Sequence, residues 1–451
     1  MSEDRSTHPV DKVPPPGDLF LYGLQHVLIM YAGAIAVPLI IGGALGLPKD
    51  QIALLISCDL FACGLVSIIQ SAGFWKFGVR LPVMMGVTFA AVPTLVVLAS
   101  DPEIGAQGLF GAVIGAGIVS MILAPFVGRL VRFFPPLVTG TVITVTGLTI
   151  MRIGINWAAG GNPTIKQVVD GVATDVPNPA YGALDNLGFA LMVLIVILLL
   201  AKYARGFWAN ISVLVGLAVG FGVAILFGRV DFSGISSAPW VELVRPFAFG
   251  MPTFNLWAII SLSVVMVIVM VETIGMLLAV GEMVGRRPGP DRITGGLLVD
   301  GLGTLIGGIF NTFPYVSYSQ NVGLVGVTGI KSRWVCAAGG AILIALALFP
   351  KLAVIAASVP IYVLGGAGIV MFGMVCATGI KILAEVDFNK RHNLFVVAVS
   401  VGVGMIPLVA PAFFNQMPKV LAPFTHSGIA MAAVTVVILN AYFNQAGSDE
   451  E

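Results

Sequence analysis

The stretch Phe313-Pro314-Tyr315-Val316-Ser317-Tyr318-Ser319-Gln320-Asn321 decides the architecture. It is apolar enough for a membrane, yet its proline, hydroxyls and paired amides make it too irregular for an ordinary spanning helix. It continues into Val322-Gly323-Leu324-Val325-Gly326-Val327, and an earlier stretch has the same character: Leu81-Pro82-Val83-Met84-Met85-Gly86-Val87-Thr88-Phe89. Aligning Pro82 with Pro314 sets Thr88 against Gln320 and Phe89 against Asn321. The likeness extends downstream, where Pro135 precedes Gly140 by the same interval that separates Pro360 from Gly365. Non-helical backbone at membrane depth survives only where it is buried in protein or lines a cavity. Interrupted segments at matching positions of two halves point to the binding site of a secondary transporter.

The surrounding composition agrees. Of 451 residues, 58% are hydrophobic and only 10% charged, with a mean hydropathy of +1.00. A soluble domain carries about 25% charged residues, so this chain belongs in a bilayer. Regular apolar segments of the length a bilayer demands fall at residues 19–45, 52–74, 109–127, 137–153, 211–227, 256–280, 293–310, 334–349, 361–380 and 394–409. Two less regular ones lie at 187–200 and 429–443. With the broken segments 81–98 and 313–327, the count is fourteen crossings. That count, with the N-terminus inside, puts sixteen of the 23 Lys and Arg on the cytoplasmic side, as the positive-inside rule requires. The expected fold is therefore an all-α polytopic membrane protein of 14 transmembrane segments. Each broken segment is the third span of a seven-span half, and seven is odd, so the two halves form inverted repeats. Both termini are expected in the cytoplasm.

Other features mainly exclude. A net charge of +1 gives no case for nucleic acid. Cys58, Cys63, Cys336 and Cys376 sit in apolar stretches without a CxxC pair and read as small packing residues. His8, His26, His392 and His426 are scattered, and no HExxH or nucleophile–base pair points to an enzyme, a metal or a cofactor. Residues 1–18 are polar and proline-rich, a short solvated tail rather than a cleaved signal, and 444–451 form a second tail. Residues 156–186, rich in Gly, Pro and Asn, read as a long external loop, partly strand or turn.

An ionisable group inside a spanning segment is costly and functional by default. Glu272, in Val271-Glu272-Thr273-Ile274-Gly275, is expected to face a central cavity, where it accepts hydrogen bonds from a substrate or carries a proton. Asp300 either shares that proton traffic or hydrogen-bonds backbone at a helix junction. His26 is either a structural histidine bonded to a neighbouring helix or a proton relay. Asp59 is a buried carboxyl with no assigned role. The amide of Gln320 presents a donor and an acceptor side by side, which suits the edge of a planar heterocycle. Asn321 is expected to satisfy carbonyls of the irregular backbone, while Ser319, Thr88 and Phe89 flank the same cavity.

The run from Gln320-Asn321-Val322-Gly323 to Thr328-Gly329 resembles the signature of the nucleobase–ascorbate transporter family, Gln/Glu-Asn-x-Gly-x4-Thr. The likeness extends to Gln25-His26, the Glu272 block, the Asp300 segment and Lys331-Ser332-Arg333, and so covers nearly the whole chain. The resemblance implies short antiparallel strands in spans 3 and 10, each leading into a half-helix. It implies a core domain (residues 19–132 and 255–352) and a gate domain (133–254 and 353–443). It also implies proton-coupled import of oxopurine nucleobases, xanthine or uric acid, across the cytoplasmic (inner) membrane, often by a homodimer embedded in lipid. On this resemblance Glu272 and Gln320 bind substrate, with Thr88, Phe89 and Ser319 lining the site. His26, Asp300 and Asn321 serve coupling or site architecture. Met276 departs from the aspartate that many members have there. Gln320 resembles purine carriers, and residues 317–324 look most like xanthine and urate permeases.

Four other readings compete. A uracil or other nucleobase permease shares the fold but tends to have glutamate at position 320. An anion transporter or exchanger of the same fold would prefer a neutral or cationic group where Glu272 stands. An intramembrane enzyme would need catalytic residues that are not clustered here. A channel would need a repeated pore motif.

Overall fold

The computed structural model describes residues 8–130, 135–169, 172–418 and 421–445. The first half contains α1 (Pro16–Ala44), α2 (Lys49–Ala72), β1 (Met85–Val87), α3 (Val92–Ser100), α4 (Gly105–Leu130), α5 (Pro136–Ala158), the strands β2 (Thr164–Val169) and β3 (Val172–Pro177), α6 (Leu184–Tyr203), α7 (Phe207–Asn210) and α8 (Ser212–Leu226). The second half contains α9 (Leu256–Val284), α10 (Pro290–Ile309), β4 (Tyr315–Ser317), α11 (Ser319–Thr328), α12 (Arg333–Ala347), α13 (Pro350–Ala357), α14 (Ile361–Leu383), α15 (Arg391–Val409), α16 (Ala422–Thr425) and α17 (Gly428–Asn440). A helix occupies each of the ten regular and two less regular apolar segments. Among the described residues, eight helices are long and apolar enough to cross a membrane by themselves, and α12 with α13 adds a ninth candidate, bent by 85°.

Proline and glycine set the boundaries. Pro135 and Pro360 are the N-caps of α5 and α14, so the two prolines matched in sequence start matched helices. Asn255 caps α9 by accepting the backbone N–H groups of Trp257 and Ala258 at 3.0 and 3.1 Å, satisfying donors that a helix start leaves orphaned. Between α2 and α3 the chain cannot stay helical, and it becomes β1 followed by a 3-10 turn at Phe89–Ala91.

Helices approach closely where small residues face each other. Along the α5–α14 crossing, Gly147 meets the backbone of Cys376, Gly154 faces Gly368, and Gly365 meets Ala158. A Cβ on Gly365 would collide with the Ala158 backbone. The same device joins α2 to α12 through Gly64 and Gly340, and α4 to α10 through Gly117 and Gly301. Cys58, Cys63 and Cys336 are buried free thiols, and Cys376 is a partly buried one.

The N-terminal segment corrects one expectation. Residues 1–7 lie outside the described residues, but from His8 onward the segment is a docked clip rather than a solvated tail. Val10 is fully buried. Asp11 pairs with Arg286 at 2.6 Å and Arg333 at 2.8 Å, while the Trp334 indole donates to the Asp11 carbonyl at 3.2 Å. Arg333 also donates to the Ala72 carbonyl at 2.5 Å, closing the end of α2. The clip therefore ties the ends of α2, α9 and α12 together on one face of the molecule. On the opposite face, the Gly/Pro/Asn-rich loop contains the antiparallel pair β2–β3.

Candidate functional site

The two broken segments meet. β1 and β4 pair antiparallel with Met85 opposite Ser317, Gly86 opposite Val316 and Val87 opposite Tyr315. Two further backbone bonds extend the ladder, from Thr88 N–H to the Pro314 carbonyl and from Tyr318 N–H to the Met84 carbonyl, both 2.9 Å. The strands are short and wholly buried, so each satisfies the other's backbone where no water is available. The 3-10 turn into α3 starts beyond one end of this ladder and α11 beyond the other. Two half-helix N-termini, each with its partial positive charge, thus flank it. Tyr318 lies across Gly86 and Gly33, the position where any side chain would strike its ring.

Helix α9 packs on the Phe89–Ala91 turn, on β4 and on α11, which brings Glu272 to this assembly. Glu272 is half-buried, and no cation or hydrogen-bond donor engages its carboxylate among the described residues. One helix away, Asp300 is fully buried, and neither of its carboxylate oxygens has a hydrogen-bond partner among the described residues. Its bond to backbone at a helix junction is therefore not seen. The hydroxyl of Thr273, the residue after Glu272, is likewise buried and without a hydrogen-bond partner among the described residues.

On α11, Gln320 is exposed, and its Oε1 accepts the Ser319 hydroxyl at 3.1 Å. Gly323, Gly326 and Val327, also exposed, continue its open face toward the C-terminal end of α11. Asn321 faces the other way: its Nδ2 donates to the His26 carbonyl at 2.9 Å and lies 3.0 Å from His26 Nδ1. The Cys336 thiol lies 3.9 Å from both His26 ring nitrogens. His26 and Asn321 thus clasp α1 to α11, away from the open face. The Thr88 hydroxyl accepts the Ala90 N–H at 3.1 Å and caps its own turn. Phe89 meets Phe372 of α14 edge-on, with ring centroids 5.8 Å apart, and Trp157 of α5 lies 6.4 Å beyond Phe372.

Structure adds residues that sequence reading left unused. Asp59 Oδ1 accepts the hydroxyls of Thr312 and Tyr315, both at 2.7 Å, and the Cys63 thiol approaches Oδ2 at 3.8 Å. This buried knot fastens α2 to the entry of β4. The density of hydroxyls from Thr312 to Ser319 was the available signal. No group of His, Cys, Asp and Glu able to hold a metal occurs among the described residues.

Known proteins place this geometry. The sequence model of the Permease family, Xan_ur_permease, matches residues 17–413. The chain is 51% identical over 444 residues to the uric acid transporter UacT of Escherichia coli K12, covering 98% of this chain and 89% of that protein. It is 42% identical to the xanthine permease of Bacillus subtilis 168, covering 95% and 94%. Among solved structures, the transmembrane domain of the cyanobacterial bicarbonate transporter BicA aligns with a TM-score of 0.58 at 17% identity, covering 94% of this chain and 96% of that one. Murine Slc26a9, an anion transporter, aligns at 0.61 and 14%, covering 96% and 70%. The two structural likenesses speak for the fold, and the sequence matches identify the lineage: the chain is a membrane transporter of the nucleobase–ascorbate transporter family, not an enzyme.

Proposed function

We propose that this protein imports xanthine and uric acid with protons, by alternating access of one site to the two sides of the cytoplasmic membrane. The observation that carries the reading is the joining of both broken segments through β1 and β4, with Glu272 on the helix that packs against them. Met85 and Ser317, equated by aligning Pro82 with Pro314, are directly opposed in the ladder. A two-fold relation between inverted seven-span halves requires that kind of pairing, which supports the fourteen-span topology. The Lys and Arg distribution supports cytoplasmic termini, so the clipped face is the cytoplasmic one.

In this reading α1–α4 and α9–α13 form the core that carries the site. Helices α5–α8 and α14–α17 form the gate, whose α5–α14 seam of glycines makes a stiff unit. Glu272, ionised, supplies acceptors for two ring N–H groups of an oxopurine, and Gln320 meets an adjacent N–H and C=O pair. Ser319 orients that amide, and Phe89 closes the site against Phe372. Asp300, buried and unpartnered among the described residues, is placed to take a proton passed along with substrate. His26 and Asn321 hold α11 in register. The names of the relatives, uric acid transporter and xanthine permease, support the substrate class. A carboxylate at position 272 separates this site from that of an anion carrier of the same fold. A homodimer is the expected assembly.

Uptake of labelled xanthine and uric acid into cells lacking their own purine uptake tests the proposal. Accumulation should follow an inward proton gradient and collapse with a protonophore. Uptake that follows a sodium gradient at clamped pH would contradict the coupling, and absence of uptake for both purines would contradict the substrate class.

A further inference from the structure

On the face opposite the clip, a cavity of about 1260 Å³ opens between α1 and α3 on one side and α5, α15 and residues 160–165 on the other. Its wall includes Arg152, Asn156, Trp157, Asn162, Asn178 and His426. Arg152 is exposed to this space and has no carboxylate or hydrogen-bond partner among the described residues. It lies six residues inside the end of α5, about 9 Å along the helix axis. An arginine at such depth is costly unless it faces water or a partner, so its place on a cavity wall needs a functional account. Asn156 is one turn further out on the same helix face. Asp101 is the acidic residue of the lining, and it sits at the outer end of α3, where its Oδ1 already accepts the Glu103 N–H at 2.9 Å.

The inner limit of the cavity is aromatic. Trp157, only 8% exposed, lines the cavity on one side and contacts Phe372 on the other, and Phe372 contacts Phe89 beside the substrate site. Just below, the hydroxyls of Thr94 on α3 and Ser427 at the start of α17 share a buried 2.8 Å hydrogen bond. The cavity and the site are thus consecutive compartments separated by three rings and one hydrogen bond. We infer that the cavity is an antechamber that binds the anionic oxopurine before the barrier opens, with Arg152 as its cation and the Asn156 Nδ2 and the Asn162 amide meeting ring carbonyl and N–H groups, while Asn178 braces the loop through the Asn162 carbonyl and the Ala180 N–H.

The chemistry selects by charge. Urate is largely an anion at neutral pH, whereas xanthine is mainly neutral in mildly acidic solution. A solvated guanidinium attracts the first and is indifferent to the second, an effect screened by salt. Arg152 lies outside the site where Glu272 stands, so it acts on capture rather than on translocation. This inference rests on the purine-import reading above, and its test separates the two.

The experiment measures KM and maximal rate for urate and xanthine uptake in mildly acidic buffer by the parent, Arg152→Gln and Arg152→Lys. Arg152→Gln should raise the urate KM roughly two- to fivefold, the scale of one unit charge acting through water, with its maximal rate unchanged. Its xanthine KM should match the parent, Arg152→Lys should restore urate capture, and added salt should narrow the gap between parent and Arg152→Gln. If the parent carries both purines and Arg152→Gln leaves the urate KM unchanged, or raises both KM values equally, the antechamber is wrong and the import reading stands. If the parent carries neither purine, the import reading fails and the antechamber fails with it.

Discussion

The Tyr315 hydroxyl donates to Asp59 Oδ1 at 2.7 Å, joining residues 256 positions apart inside a fully buried pocket. The Thr312 hydroxyl donates to the same oxygen at 2.7 Å. An acceptor shared by two buried donors fixes where β4 begins, and through β4 where α11 and Gln320 stand. Asp59→Ala would remove the acceptor that both hydroxyls share, leaving them their longer contacts with each other at 3.3 Å and, for Tyr315, with the Asp59 carbonyl at 3.2 Å; each lost bond is worth about 0.5–1.5 kcal/mol. The variant should unfold at a clearly lower temperature in detergent than the parent. Tyr315→Phe, which keeps the ring and leaves Thr312 in place, should fall between them. Equal stability of all three would remove the knot from the account.

The α5–α14 seam makes a sharper steric prediction. A Cβ at Gly365 meets the Ala158 backbone, which has no side chain to rotate away. Gly365→Ala should therefore destabilise the protein by about 1–3 kcal/mol, the usual cost of overpacking. At Gly402 a Cβ meets nothing, and Gly402→Ala should be neutral. Thermal unfolding of the two variants side by side gives the comparison.

Asn321 is predicted to matter through its hold on α1 rather than through substrate. Its amide donates to the His26 carbonyl and lies within hydrogen-bond distance of the His26 ring. Asn321→Asp replaces the donor with a group that repels that carbonyl. Uptake should fall at least about tenfold, equivalent to 1.4 kcal/mol, with membrane insertion preserved. Uptake at parental rate would show that α11 needs no clasp.

The N-terminal clip should respond to acid. Burial works against ionising Asp11, yet the hydrogen bonds and charges of Arg286 and Arg333 outweigh it and hold the carboxyl below its ordinary value of 3.8. A depressed pKa in the folded state contributes stability that is present above the unfolded pKa. That stability is lost as pH falls through the folded one. Proteolysis of the N-terminal segment should therefore stay slow at neutral pH and quicken in strong acid. In Asp11→Asn it should be quicker at neutral pH and flat across the same range.

Much of this architecture was legible because proline, glycine and hydrophobic length are local signals. Pro82 and Pro314 marked the broken segments, and Pro135 and Pro360 marked the matched helix starts. The interior carboxyls Glu272 and Asp300 stood out against apolar neighbours. What the sequence did not disclose depends on partners far along the chain. Asp59 has meaning only beside Thr312 and Tyr315. Asp11 looked like a tail residue because Arg286 and Arg333 lie 275 and 322 positions away. Asn321 resembled a local backbone partner until α1 was seen beside it. Arg152 looked like one more charge on the external side, and only the cavity gives it a setting.

Glu272 is the proposed acceptor of the purine. A carboxylate meeting two ring N–H groups becomes, in Glu272→Gln, an amide with one donor facing a donor. Uptake of labelled xanthine by Glu272→Gln, normalised to the amount of protein in the membrane, tests this most directly. Uptake should not exceed that of cells lacking the transporter. Uptake at the parental rate and KM would contradict it, and would move the substrate site away from α9.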